Sequence, residues 1–115
     1  MRASGKAVIV VGDVPGTRPV PAPECVYLHR EAYDPCSTAR SGDGLEDGNV
    51  EMLAAAATPG IRTLSLLPYV CDAETCHAVI GGLVVYFDDH HLTASFSRSL
   101  APYLGAAVQE ALGAP

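Results

Sequence analysis

Leu83-Val84-Val85-Tyr86-Phe87-Asp88-Asp89-His90-His91-Leu92-Thr93 passes from apolar, strand-forming residues through two acids and two histidines to a helix-capping threonine. Residues 79–86 read as a strand, in which Gly81-Gly82 marks either a bend or a start delayed to Leu83. Beyond Thr93, Phe96, Leu100, Leu104, Ala107, Val108 and Leu112 recur at helical spacing. Pro102 lies inside that pattern and predicts a kink. A strand that hands over to a helix through a polar turn is the repeating unit of α/β proteins. Their ligands gather at the carboxyl ends of strands.

The rest of the chain reads the same way. Residues 7–11 are a short apolar, β-branched run that stops at Gly12-Asp13, as expected of a parallel strand buried on both faces. Residues 14–23 hold four prolines and predict an extended loop. Residues 26–33 allow one or two helical turns, and residues 37–48 are a polar loop. Asp47 or Asn49 can cap a helix through Glu51, Met52, Leu53 and four alanines, ended by Pro59-Gly60. Residues 61–67 return to a strand, and residues 68–77 form a loop. This order predicts an α/β layered fold with a mostly parallel sheet and a C-terminal helix.

At 115 residues the chain makes one domain at most. Seven Lys and Arg against thirteen Asp and Glu give a net charge of -6. That balance argues against nucleic acid or an anionic membrane surface as partner, because both select cations. No apolar run approaches the roughly 20 residues of a membrane span, and the five apolar residues after Lys6 are too few for a signal-peptide core. Four cysteines permit three pairings. The local pairs Cys25–Cys36 and Cys71–Cys76 are favoured, since each brackets a loop of turn formers and polar residues. Disulfides would imply an oxidising compartment. The spacings do not fit the usual paired knuckles of a zinc site.

The chemistry lies in residues 86–93. A histidine at a strand end can act as a general base, since its ordinary pKa of about 6.5 is near working pH. A carboxylate that accepts from one ring nitrogen fixes the tautomer and leaves the other nitrogen to take a proton. Asp88 and His91 are three apart, so a tight turn can join them. Acids before a helix also serve as plain caps. His90 and His91 with the two aspartates offer a metal set as a further alternative. His29 and His77 read as loop histidines, Tyr86 and Phe87 as packing residues, and Arg98 as a solvated charge.

Cys71-Asp72-Ala73-Glu74-Thr75-Cys76, Tyr86-Phe87-Asp88-Asp89-His90-His91-Leu92-Thr93 and Leu100-Ala101-Pro102 together resemble the end of an SGNH hydrolase-type domain. The resemblance is narrower still to the SGNH domain fused to bacterial membrane acyltransferases of the acyltransferase type 3 family. Upstream, Gly12-Asp13-Val14-Pro15, Pro23-Glu24-Cys25 and Cys36 fit as well. The resemblance implies a three-layer, flavodoxin-like α/β fold and Ser-His-Asp acyl transfer or hydrolysis on cell-envelope glycans, without a cofactor. It assigns Asp88 as the orienting acid and His91 as the base. The family's Gly-Asp-Ser nucleophile block does not occur in the chain, and Gly12-Asp13-Val14-Pro15 matches a later strand of the domain. Residues 1–115 are therefore expected to be a single partial SGNH-like domain. Its expected partners are the missing N-terminal half, a membrane acyltransferase domain and an acylated glycan. The expected location is the periplasmic or extracytoplasmic face when attached to the acyltransferase, and the cytoplasm when the chain is made alone. A non-catalytic remnant is the alternative.

Overall fold

The computed structural model describes residues 5–16, 22–40 and 50–113. In chain order the elements are β1 (Ile9–Val11), α1 (Ala22–Leu28), β2 (Thr38–Ala39), α2 (Val50–Ala56), β3 (Arg62–Leu64), α3 (Leu67–Val70), β4 (Thr75–Cys76), β5 (Val79–Ile80), β6 (Leu83–Val84), α4 (Ala94–Ser99) and α5 (Ala101–Gly113). The expected capping residues Asp47 and Asn49, and the acidic stretch 43–47, lie outside the described residues.

The chain is mixed α/β, with short sheets and a C-terminal helix. β1 and β3 pair in parallel, with Ile9 beside Arg62 and Val11 beside Leu64. Gly12 N–H to Leu64 O (2.9 Å) and Arg62 N–H to Val8 O (3.1 Å) extend the pair at both ends. Parallel strands need a long crossover, and α2 lies within it, burying Met52 and Ala55. Among the described residues no third strand joins this pair.

The other two pairs are antiparallel: β2 with β4, and β5 with β6. Residues 79–86, expected as one strand with a bend, form a hairpin. Gly81 and Gly82 both adopt positive φ (58° and 77°), as a tight hairpin turn between right-twisted strands requires. The strand expected over 61–67 ends at Leu64. Ser65 Oγ accepts from Leu67 N–H at 3.2 Å, and Pro68 fits the first turn of α3.

The core gathers Ala22, Leu67, Val70, Cys71, Cys76, Ala78, Val85, Tyr86, Phe96 and Leu100. Thr93 caps α4 as expected, accepting from Phe96 N–H at 3.1 Å. The anticipated kink is a full break: α4 is capped at Leu100 and Pro102 sits in the first turn of α5, where its missing N–H costs nothing. The apolar stripe is buried at its start, at Phe96 and Leu100, while Val108 and Leu112 face solvent. Tyr69 stacks on Tyr103 at 4.5 Å, and Arg62 pairs with Glu110 at 3.4 Å. The cysteines form the two local disulfides, Cys25–Cys36 and Cys71–Cys76, which leaves no thiolate for a zinc site. No described helix is long and apolar enough to cross a membrane.

Candidate active site

The Asp88–His91 turn is built locally. Tyr86 bridges to Leu92, and Phe87 N–H donates to His91 O at 3.0 Å, closing a loop of three residues between them. Within that loop Asp88 Oδ1 accepts from the backbone N–H of His90 (2.8 Å) and of His91 (2.6 Å). An aspartate that bonds its own backbone two and three residues on is a common turn former. The same geometry aims Oδ2 at His91 Nδ1, 2.6 Å away. The sequence spacing alone thus produces the contact.

Three anchors hold this turn on the core. Tyr86, almost wholly buried, donates its hydroxyl to Pro15 O at 2.5 Å. Burial, with the nearby Asp13 carboxylate, pushes its phenol up to about 12, so it remains a hydrogen-bond donor. Thr93 N–H donates to Val85 O at 2.8 Å and its hydroxyl to Val84 O at 2.6 Å. Ala22 N–H, at the start of α1, donates to Asp88 O at 3.3 Å.

Partial burial acts to raise the pKa of Asp88. The donations from His90 N–H, the His91 ring and His91 N–H outweigh it and hold the carboxyl well below the usual carboxylate range. Asp88 is therefore an anion at any physiological pH. An anion at Nδ1 selects the Nδ1–H tautomer of His91 and leaves Nε2 with a free lone pair. Among the described residues nothing hydrogen-bonds to Nε2, and the His91 side chain is 56% exposed. The ring stacks on Phe87, with centroids 5.4 Å apart, and tilts against His90. His90 Nδ1 is held by Asp89. One donor atom each from Asp88, His90 and His91 lies within 4.8 Å of the others. That set suits a borderline divalent ion, but Asp88 already gives its oxygens to two N–H groups and a ring.

A second histidine–carboxylate cluster escaped the sequence reading, which placed His77 as a plain loop residue. Its Nδ1 lies 3.0 Å from both Asp34 oxygens, and its Nε2 lies 3.1 Å from Asp72 Oδ2. The hydrogen bond to Asp34 raises the His77 pKa; burial opposes this, and Asp72 adds to it. The N–H groups of Glu74 and Thr75, with His77, lower that of Asp72. Each carboxylate comes from a different disulfide loop. The signal would have required knowing that β2–β4 pairing brings those loops together.

The family model of the SGNH domain (fused to AT3 domains) matches residues 1–106. No curated protein and no solved structure matches the chain.

Proposed function

Since the chain belongs to the SGNH domain family, we propose that it supplies the oriented base of an O-acyltransferase or esterase acting on cell-envelope glycans. The observation that carries this reading is the 2.6 Å contact between Asp88 Oδ2 and Nδ1 of His91, a half-exposed side chain. Asp88 is the positioning acid. His91 is the catalytic base that takes the proton of an attacking hydroxyl and returns it to the leaving oxygen. The serine and the oxyanion hole come from a polypeptide carrying the Gly-Asp-Ser block, in cis or from a neighbouring product, next to a membrane acyltransferase domain on the extracytoplasmic side. The two disulfides support an oxidising compartment.

Surface character supports a polypeptide partner. The β1–β3 pair has free edges among the described residues, whereas parallel sheets are normally covered on both faces. Val50, Leu53, Val108 and Leu112 are exposed large apolar residues.

The test is reconstitution. The chain alone should show no turnover of a chromogenic acetyl ester. Addition of a polypeptide carrying the Gly-Asp-Ser block of an SGNH domain should restore hydrolysis. Because triad members act as a unit, His91→Ala should then cost on the order of 10⁴-fold or more. Restored activity that His91→Ala leaves untouched would remove the proposal.

A further inference from the structure

Pro23, Val26, Tyr27 and Arg30 recur at helical spacing along α1 and the turn after it. With Val84, Tyr86, Phe87 and Thr93 they line an open groove of about 430 Å³. We propose that this groove binds a medium-chain aliphatic carboxylate, its chain lying along α1 and its carboxylate on Arg30. Both parts of the ligand follow from the lining. The Tyr86 hydroxyl is committed to Pro15 O and the Thr93 hydroxyl to Val84 O, so both residues turn carbon toward the groove. Among the described residues, Arg30 is the one charged residue in the lining. Its guanidinium lies 4.7 Å from the Tyr27 ring centroid and donates one N–H to Tyr27 O at 2.7 Å. An arginine has five N–H donors in a fixed fork, so further donors remain for a carboxylate.

The position of Arg30 sets the direction of the ligand. At a rise of about 1.5 Å per residue, Pro23 to Arg30 spans about 10 Å. Phe87, also in the lining, stacks on His91. An aliphatic chain of that length can follow α1 from Arg30, and acetate covers only a fraction of it. This inference concerns equilibrium binding and does not rest on acyl transfer.

The experiment is an NMR titration of the 115-residue chain with sodium octanoate, hexanoate, butanoate and acetate, and with 1-octanol. Octanoate should shift the amide signals of Val26, Tyr27, Arg30, Val84 and Phe87 saturably. Affinity should fall about two- to fourfold for each methylene removed. Arg30→Gln, at an exposed position, should weaken octanoate about three- to fivefold and leave 1-octanol unchanged. Tyr27→Ser, also exposed, should weaken both. His91→Ala should leave octanoate binding intact while abolishing reconstituted turnover, so the two proposals fail separately. Octanoate binding no better than acetate would overturn this one, as would an Arg30→Gln chain indistinguishable from the native one. The same signals shifting with protein concentration alone would show that a second copy occupies the groove, and would also overturn it.

Discussion

Asp88→Asn is the sharpest perturbation of the candidate base, because the change is isosteric and alters one bond in three. Asp88 accepts from His90 N–H at 2.8 Å, His91 N–H at 2.6 Å and His91 Nδ1 at 2.6 Å. Asparagine keeps a carbonyl oxygen for the two backbone donors, so the turn stays closed. Its amide NH2 then faces Nδ1. Two donors cannot share that contact, so Nδ1 must give up its proton and accept, and the proton moves to Nε2. The nitrogen that should act as base becomes a donor. In a reconstituted enzyme, loss of the correct tautomer should cost on the order of 10⁴-fold in kcat. The chain alone suffices for the structural half of the test. Nitrogen-15 spectra of the imidazole should show Nδ1–H in the native chain and Nε2–H in Asp88→Asn, with the amide signals of residues 86–92 nearly unmoved. A second consequence follows from linkage. The folded-state pKa of Asp88 lies below its unfolded value of about 3.8, so its ionised form stabilises the fold above that value. This stabilisation is lost as pH falls through the folded value. The Asp88→Asn chain should lack that share of the acid sensitivity. Native Nδ1–H tautomer persisting in Asp88→Asn would refute the orienting role.

His77 gives the opposite pH dependence. Its folded pKa is raised by Asp34 and Asp72, so the stabilisation is complete below the unfolded value of about 6.5 and is lost as pH rises through the folded value. Thermal unfolding followed from pH 5 to pH 9 should therefore show the native chain losing its advantage over His77→Gln as pH rises; a constant difference between the two would contradict the paired imidazolium. The Cys25–Cys36 bridge closes a separation of 11 residues, which in the chain-entropy model is worth about 3 kcal/mol. Urea unfolding of Cys25→Ala/Cys36→Ala should show a loss of that size, and a loss below about 1 kcal/mol would place the bridge outside the cooperative unit.

How much the sequence discloses depends on how far apart the interacting residues lie. The Asp88–His91 contact was legible because three residues and one turn contain it. The Thr93 cap was legible for the same reason, as were both local disulfides. The Gly81-Gly82 hairpin was half legible: the glycines announced a break, but their positive φ values turn a bend into a reversal. The strand expected over residues 61–67 stops short because Leu66 and Leu67 prolong the apolar run past Leu64, and a short apolar run alone does not distinguish strand from helix. Ser65 and Pro68 settle that ambiguity by starting α3. His77 was not legible at all. Its partners lie 43 and 5 residues away, and the distant one comes within reach through β2–β4 pairing, which no period or motif in the chain announces.

The locality of the Asp88–His91 pair bears on how a divided active site can work. Every bond that orients His91 comes from residues 86–93, and the turn rests on Val84, Val85, Ala22 and Pro15. The His91 imidazole is therefore oriented by this chain's own residues. Under the proposed division of the site, a partner bringing serine and oxyanion donors meets a half-exposed imidazole whose tautomer is already set. The entropy of arranging the pair is spent in folding this chain rather than in association. What association must supply is position, and the candidate surface for it is apolar. A strand added to an edge of β1–β3 would satisfy backbone groups there and cover Val11, which is 42% exposed. Placement of the serine then depends on strand register. A slip of one residue reverses the side-chain faces, so docking in the wrong register cannot bring the hydroxyl to Nε2.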